Sequence, residues 1–179
     1  MPKKRYHIFL GNFGSGKTEL ALHFAMQAAA AGQPVSLVDL DIVNPYFRAS
    51  ERRELLKKLG IRLIEPNFAA SNVEIITINP EIYSVFAAGE GEVIFDVGGD
   101  NIGARALGQY KPYFERLPRE LLKVWLVVNA HRPLSASAAQ VLKLMAMIGE
   151  AARLSIDGLI NNANLSYETR GEDILAGYQ

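Results

Sequence analysis

Eight consecutive residues near the amino end combine the residue types that can hold a polyphosphate. They read Gly11-Asn12-Phe13-Gly14-Ser15-Gly16-Lys17-Thr18, which fits the pattern G-x-x-x-x-G-K-[ST]. Glycines let the backbone curl so that successive N–H groups point at anionic oxygens. The pattern predicts that Lys17 reaches the β- and γ-phosphates of a nucleoside triphosphate and that the Thr18 hydroxyl ligates Mg²⁺. The alternative is a glycine-rich turn that binds nothing.

Acidic residues end two later apolar runs. Asp39 and Asp41 close the run 35–41, and Asp96 lies in the run 93–97, directly before Gly98-Gly99. Acids at the carboxyl ends of buried strands lie where open α/β sheets bind ligands. The second run has the form of a Walker B motif. It predicts that Asp96 holds Mg²⁺ through water and that Gly99 lies where a γ-phosphate sensor would be.

Apolar runs that alternate with helical patterns must position these groups. The phosphate-loop sequence follows an apolar run at 8–10 and precedes an alanine-rich helix predicted from Lys17 to Ala31. The remaining strands are predicted at 35–41, 61–64, 93–97, 121–129 and 156–161, and the remaining helices at about 44–59, 79–89 and 134–154. Such alternation calls for an α/β fold of three layers, in which a mainly parallel sheet has helices on both faces. The phosphate-loop motif after the first strand makes the P-loop NTPase fold the expected form of that architecture.

Composition limits the class of protein. The chain has 179 residues, of which 49% are hydrophobic and 21% charged, with a formal net charge of zero and no cysteine. This predicts one nucleotide-binding domain over residues 1–179 and gives no strong signal for nucleic acid. No apolar run approaches the roughly 20 residues that span a bilayer. We therefore expect no transmembrane segment and a cytoplasmic protein.

The sequence resembles the MinD/ParA group of nucleotide-binding proteins, which includes the nitrogenase iron protein and the CobQ/CobB-type enzymes. The resembling stretches are GNFGSGKT at 11–18, DLDIVNPYFR at 39–48, VIFDVGGD at 93–100 and GLINNAN at 158–164. The resemblance implies that Asp41 positions or activates the attacking water and that Asp39 supports the Mg²⁺ shell. It also implies that Asn162 recognises the base. An amide suits adenine, and the Asn-Lys-x-Asp motif of GTPases is absent here, so ATP is favoured over GTP. Asn162 as an ordinary turn residue stays open.

The chain also departs from that group. The group's second lysine, which follows the first glycine of the loop and reaches across a nucleotide-sandwich dimer, is replaced by Asn12. Members of the group also usually continue beyond the base-contacting loop, so we expect a truncated or minimal domain. The resemblance makes a homodimer or an effector protein the expected partner, and the exchange at position 12 weakens the case for ATP-driven dimerisation.

Three functions remain open at this stage. The first is an ATP-binding switch with slow hydrolysis, in which Lys17 and Asp41 are the catalytic residues. The second is a small-molecule phosphotransferase or a ligase of the CobQ or dethiobiotin synthetase kind, and the third is an ATP-binding module that does not hydrolyse. Arg48 and Arg105 are weaker candidates for contact with the phosphates. The histidines His7, His23 and His131 lack metal-ligand spacing and are interpreted as structural.

Overall fold

The computed structural model describes residues 4–41, 49–65, 80–87 and 89–178. The predicted start of the second helix at Asn44-Pro45, the segment 66–78 and Arg48 lie outside these ranges. Six strands form one sheet in which every pair is parallel. The strands are β1 (Arg5–Leu10), β2 (Val35–Leu40), β3 (Ile61–Ile64), β4 (Glu92–Val97), β5 (Leu122–Val128) and β6 (Gly158–Asn161).

The sheet order is β3-β2-β4-β1-β5-β6, so β1 lies between β4 and β5. All six residues of β4 are buried, as expected of a central strand covered on both faces. Ile61–Ile64 forms the edge strand that its short length predicts. Because all strands run the same way, the segments that follow β1, β2, β4, β5 and β6 meet at one edge of the sheet.

Helices cover both faces and complete the three layers of the predicted α/β fold. They are α1 (Lys17–Ala30), α2 (Ala49–Lys58), α3 (Asn101–Gly108), α4 (Lys111–Phe114), α5 (Ala138–Ala152) and α6 (Gly171–Ala176). One apolar cluster joins α1 and α2 to the sheet, and its fully buried Ala21 and Ala25 let α1 lie close to the strands. A second cluster joins α3, α4 and α5 to the opposite face through residues such as Phe95, Leu107 and Phe114.

Several boundaries differ from the sequence prediction for local reasons. The segment expected to be helical from Asn79 to Gly89 is a 3-10 helix over Pro80–Phe86 in the described residues. The helix predicted from residue 134 begins at Ala138, because Pro133–Ser135 forms a 3-10 turn and the Ser137 side chain accepts the Gln140 N–H as the cap. The last strand starts at Gly158 instead of residue 156.

Within the described residues, no helix combines the length and apolar character that crossing a membrane would need.

Candidate nucleotide site

The loop from Gly11 to Gly16, called the phosphate loop below, joins the end of central strand β1 to the start of α1. Gly16 caps the helix in the left-handed region, at φ 87° and ψ 21°, a conformation that residues with a Cβ rarely adopt. A Cβ at this position would also collide with the side-chain amide of Asn162. The loop thus delivers its backbone to the N-terminus of α1, where free N–H groups and the helix dipole favour an anion.

Lys17 lies inside this loop. Its side chain is only 7% exposed, and Nζ donates to the Asn12 carbonyl oxygen at 3.0 Å, while the Ser15 N–H donates to the same oxygen at 3.3 Å. Burial lowers the pKa of Lys17, and the negative charges of Asp96, Asp41 and Asp100 oppose that effect. The ammonium group is therefore held within the curve of the loop and close to acidic side chains.

Two of the predicted carboxylates come from neighbouring strands. Asp39 of β2 and Asp96 of β4 are register partners. The pKa of Asp39 is raised to about 7, mainly by burial and then by the charge of Asp96, while the hydrogen bond from the Asp41 N–H to Asp39 Oδ1 at 2.8 Å opposes both effects. A divalent cation beside this pair would favour the charged form of Asp39.

Asp41 follows β2 directly and approaches the end of β4. A Cβ built on Gly98 would lie 3.3 Å from Asp41 Oδ1. Asp39, Asp41 and Asp96 thus lie in one region, near Lys17. No group of three or more His, Cys, Asp or Glu side chains in the described ranges is arranged to hold a metal by itself. Mg²⁺ commonly uses one or two carboxylates together with waters and substrate phosphates.

Gly99 brings the chain after β4 against the phosphate loop. A Cβ on Gly99 would lie 2.5 Å from the Phe13 nitrogen and 2.8 Å from its Cα. Only glycine permits so close an approach of two backbones. The position predicted for a γ-phosphate sensor therefore adjoins the loop.

The loop residues contain two buried polar atoms that lack a partner among the described residues. They are Asn12 Oδ1 and Ser15 Oγ. Buried polar atoms usually form hydrogen bonds, so unsatisfied ones need an explanation such as a ligand or water. Together with the buried lysine and the helix N-terminus, these atoms make the loop chemically suited to a nucleotide's polyphosphate. The Asn12 side chain is only 5% exposed, whereas the neighbouring Phe13 is 73% exposed.

Asn162 follows β6 and contacts the phosphate loop itself. The side-chain Nδ2 of Asn162 donates to the Ser15 carbonyl oxygen at 2.8 Å. The backbone carbonyl oxygen of Asn162 accepts from Asn164 Nδ2 at 2.6 Å. The residue expected to contact the base is thus placed at the loop. Its amide is engaged with the loop backbone in this structure.

Sequence reasoning missed two residues that follow β5. Asn129 is fully buried, and its Oδ1 accepts from the N–H groups of His131 and Asn164 at 3.0 and 3.2 Å, while Nδ2 donates to the Asn164 carbonyl oxygen at 3.1 Å. Arg132 donates from Nε to the Gly14 carbonyl oxygen at 3.2 Å. The available signal is a polar residue directly after a buried strand, which marks Asn129, whereas no comparable signal marks Arg132.

The weaker candidates are exposed, have other partners or lie outside the described residues. Arg105 is exposed on α3, and Arg48 lies outside the described residues. His7 interacts with Glu92 at the opposite edge of the sheet, and His23 is exposed on α1. His131 Nε2 lies 3.3 Å from the Asp173 carbonyl oxygen.

Comparisons with known proteins give similarity in structure. No family model matches the sequence, and no curated protein matches it either. A nucleotide-binding protein from Archaeoglobus fulgidus in complex with ADP is 18% identical, with 94% of this chain and 70% of that chain covered and a TM-score of 0.56. The VpsO kinase domain is 18% identical, with 89% and 85% covered and a TM-score of 0.57.

A third similar structure is FtsY from Elizabethkingia anophelis in complex with GDP. It is 14% identical, with 99% of this chain and 64% of that chain covered and a TM-score of 0.55. The chain spans 53%, 70% and 55% of the length of the first three chains that it matches. At these identities the likeness establishes the fold. The six-stranded parallel sheet with helices on both faces is the fold of the P-loop NTPases.

Proposed function

We propose that this protein binds a nucleoside triphosphate with Mg²⁺, prefers ATP, hydrolyses it slowly and acts as a nucleotide switch of the MinD/ParA kind. The observation that carries the proposal is Lys17, a buried lysine whose ammonium group lies within a glycine-rich loop at a helix N-terminus. Burying a lysine is costly unless its charge has a partner. Asp96, Asp41 and Asp100 compensate that charge in part, and a polyphosphate bound to the loop amides would compensate it at close range.

Each side chain in the proposed mechanism has a defined task. Lys17 moves from the Asn12 carbonyl to the β- and γ-phosphate oxygens and offsets their charge, together with the loop amides of residues 11–18. Thr18, Asp39 and Asp96 would hold Mg²⁺, which supplies further charge neutralisation. Asp41 orients a water in line with the γ-phosphorus and accepts its proton. The water oxygen then bonds to phosphorus as the bond to the β-phosphate oxygen breaks.

Hydrolysis should be slow because the second lysine of the MinD/ParA group is replaced by Asn12 in this chain. Asn12 is a neutral amide and its side chain is buried, so it can neither supply that charge nor extend to a second subunit. The same observation supports a nucleotide-binding module without hydrolysis as an alternative. Release of phosphate from ATP in the absence of any other substrate distinguishes the slow switch from the inactive module.

The choice of base and of acceptor has its own alternatives. Asn162 at the loop and the ADP complex of the Archaeoglobus fulgidus protein favour ATP, whereas the GDP complex of FtsY keeps GTP as the second candidate. The likeness to the VpsO kinase domain keeps a phosphotransferase, or a CobQ-type ligase, as the second function. Turnover that begins only when an acceptor is added would favour that second function.

The central experiment is a calorimetric titration of the parent protein and of Lys17→Ala with ATP and Mg²⁺. Charge-assisted hydrogen bonds from Lys17 contribute roughly 1.5–3 kcal/mol, so we expect the variant to bind about 10- to 150-fold more weakly. Lys123→Ala is the control, because Lys123 is exposed near the amino end of β5, away from the loop. Equal affinity of the parent and Lys17→Ala would refute the assignment of the loop as the phosphate site.

A further inference from the structure

We propose that Arg132 stacks the plane of its guanidinium group on the base of the bound nucleotide, beside Asn162. The inference rests on the proposed function, because it assigns one more contact in the same site. It concerns the loop after β5, to which the sequence patterns assign no role. The chemical class it recognises is a nucleobase, whichever base that is.

Arg132 and Asn162 contact consecutive carbonyl groups of the phosphate loop. Arg132 Nε donates to the Gly14 oxygen at 3.2 Å, and Asn162 Nδ2 donates to the Ser15 oxygen at 2.8 Å. The loop directs its N–H groups at the phosphates, so these carbonyl groups point to the other side. Both side chains therefore flank the loop outside the phosphate cradle, where the rest of the nucleotide must extend.

The guanidinium group has one face against the loop and can offer the opposite face to a ligand. A hydrogen bond from Nε lies in the plane of the group and occupies neither face. Cζ and Nε lie 3.3 Å, and Nη2 3.5 Å, from the position that a Cβ on Gly14 would take, so one face of the group rests against Gly14. Arg132 as a whole is exposed, which leaves the opposite face for a base. Among the described residues no carboxylate forms an ion pair with it.

The backbone around Arg132 is held in place before any ligand arrives. The Arg132 N–H donates to the Asn129 carbonyl oxygen at 3.0 Å, and the Arg132 carbonyl oxygen accepts the Ser135 N–H at 3.0 Å. Ser135 Oγ also donates to the Asn129 carbonyl oxygen at 2.7 Å. A side chain that starts from a fixed backbone loses less conformational entropy when it binds.

The same buried amide fixes the distance between the two loops. Asn129 bonds to both backbone polar groups of Asn164, and Asn164 Nδ2 bonds to the carbonyl group of Asn162. Arg132 and Asn162 are thus positioned by one connected set of hydrogen bonds. In the proposed complex the Asn162 side chain would meet the edge of the base and Arg132 its plane.

Arginine is well suited to this contact because its guanidinium group is planar and delocalised. Such groups stack on bases, and stacking accepts any base because every base presents a π face. Arg132 therefore raises affinity for the nucleoside part without choosing the base. Two other roles make different predictions. If Arg132 contacted a phosphate, only its positive charge would matter. If its role were purely structural, only its hydrogen bond to the Gly14 carbonyl oxygen would matter.

The experiment measures the binding of ADP with Mg²⁺ to the parent, Arg132→Ala, Arg132→Lys and Arg116→Ala. Pyrophosphate, which carries no base, is measured in competition with ADP. We expect Arg132→Ala to bind ADP about 5- to 30-fold more weakly. Arg132→Lys keeps the charge and a donor but lacks the planar face, so it should lose as much. Both should bind pyrophosphate like the parent. Arg116→Ala removes an exposed arginine near the start of β5 and should leave both affinities unchanged.

The outcomes separate this inference from the proposed function. If the parent binds ADP and Lys17→Ala does not, while Arg132→Ala matches the parent, stacking by Arg132 is wrong and the proposed function stands. Restored ADP binding in Arg132→Lys, or an equal loss of pyrophosphate binding, would also overturn the stacking role. If the parent binds neither ligand, the proposed function fails and this inference fails with it.

Discussion

Gly99 shows how a single residue without a side chain shapes this site. The backbone of Gly99 lies against Phe13, so that a Cβ would fall 2.5 Å from the Phe13 nitrogen. The contact joins the segment after β4 to the phosphate loop. The position of Gly99, after β4, is therefore coupled to the position of the N–H groups of the loop.

We expect Gly99→Ala to weaken both the fold and nucleotide binding. The added methyl group must displace the loop backbone, which we expect to lower the free energy of unfolding by about 1–3 kcal/mol. It should also reduce ADP affinity, because the loop amides move. Chemical denaturation and calorimetry measure the two effects. Gly171→Ala is the matched control, since a Cβ there meets nothing within 4 Å. A Gly99→Ala protein as stable as the parent would show that the two segments are not in contact.

The residues that lie together at the site could be predicted from the sequence where the pattern is local. The phosphate loop, its lysine and the acids at the ends of strands are fixed by short patterns, and the structure brings Lys17, Asp39, Asp41 and Asp96 together. Arg132 could not be found in this way. It lies 118 residues from Gly14, and nothing in its immediate neighbours indicates which backbone it will meet.

At the scale of elements, the two loops after β5 and β6 behave as one unit through Asn129. Asn129 directly follows β5, and its side chain is fully buried. It forms hydrogen bonds with three backbone groups, two of them on Asn164. Strand β6 is short and partly exposed, and α6 has no buried residue. The carboxy-terminal segment therefore depends on this hydrogen-bond network more than on apolar burial.

Asn129→Ala should lower the free energy of unfolding by about 2–4 kcal/mol, because it leaves several buried polar groups without partners. ADP affinity should fall as well, since Arg132 and Asn162 lose their common support. Gln140→Ala removes an exposed amide from the same region and should cost less than about 1 kcal/mol. If the two variants were equally stable in denaturant titrations, Asn129 would not be the link between the loops.

Most elements were predictable because their patterns are strong, and the exceptions have physical reasons. Ile61–Ile64 matches its prediction, since an apolar run bounded by glycine and a charged residue leaves little choice. Pro80–Phe86 was predicted as part of a longer helix but forms a 3-10 helix, in which Ile82 and Val85 are buried against the sheet. Helical periodicity in the sequence does not distinguish these two helix types over seven residues.

At the scale of the whole molecule, the side of the sheet at the carboxyl ends of its strands differs in chemistry from the side at their amino ends. The edge at the carboxyl ends of the strands holds the candidate nucleotide site. Near the opposite edge, the buried Glu92 side chain pairs with Arg5 and with His7, whose Nε2 lies 3.2 Å from Glu92 Oε2. Burial lowers the pKa of His7, the adjacent Glu92 opposes that effect, and Arg5 adds to it.

This arrangement predicts a loss of stability in mild acid. An unfolded chain takes up a proton on His7 near pH 6.5, whereas the folded chain resists protonation until lower pH. The free energy of unfolding should therefore fall as the pH drops from about 6.5 towards 5. His7→Gln should reduce that slope, and His23→Gln, which changes an exposed histidine, should not. Identical slopes for the parent and His7→Gln in denaturant titrations would contradict the prediction.

The position of β1 in the middle of the sheet determines when the site can form. Its two neighbours are β4 and β5, which pair with it through residues such as Glu92 and Leu122. A ribosome must therefore synthesise the chain through β5 before β1 has both partners. Such distant pairing makes folding slow compared with local contacts. The loop after β1 is therefore fixed in place only once β5 has joined the sheet, so a nucleotide bound as proposed would stabilise the assembled sheet and would not guide the folding that precedes it.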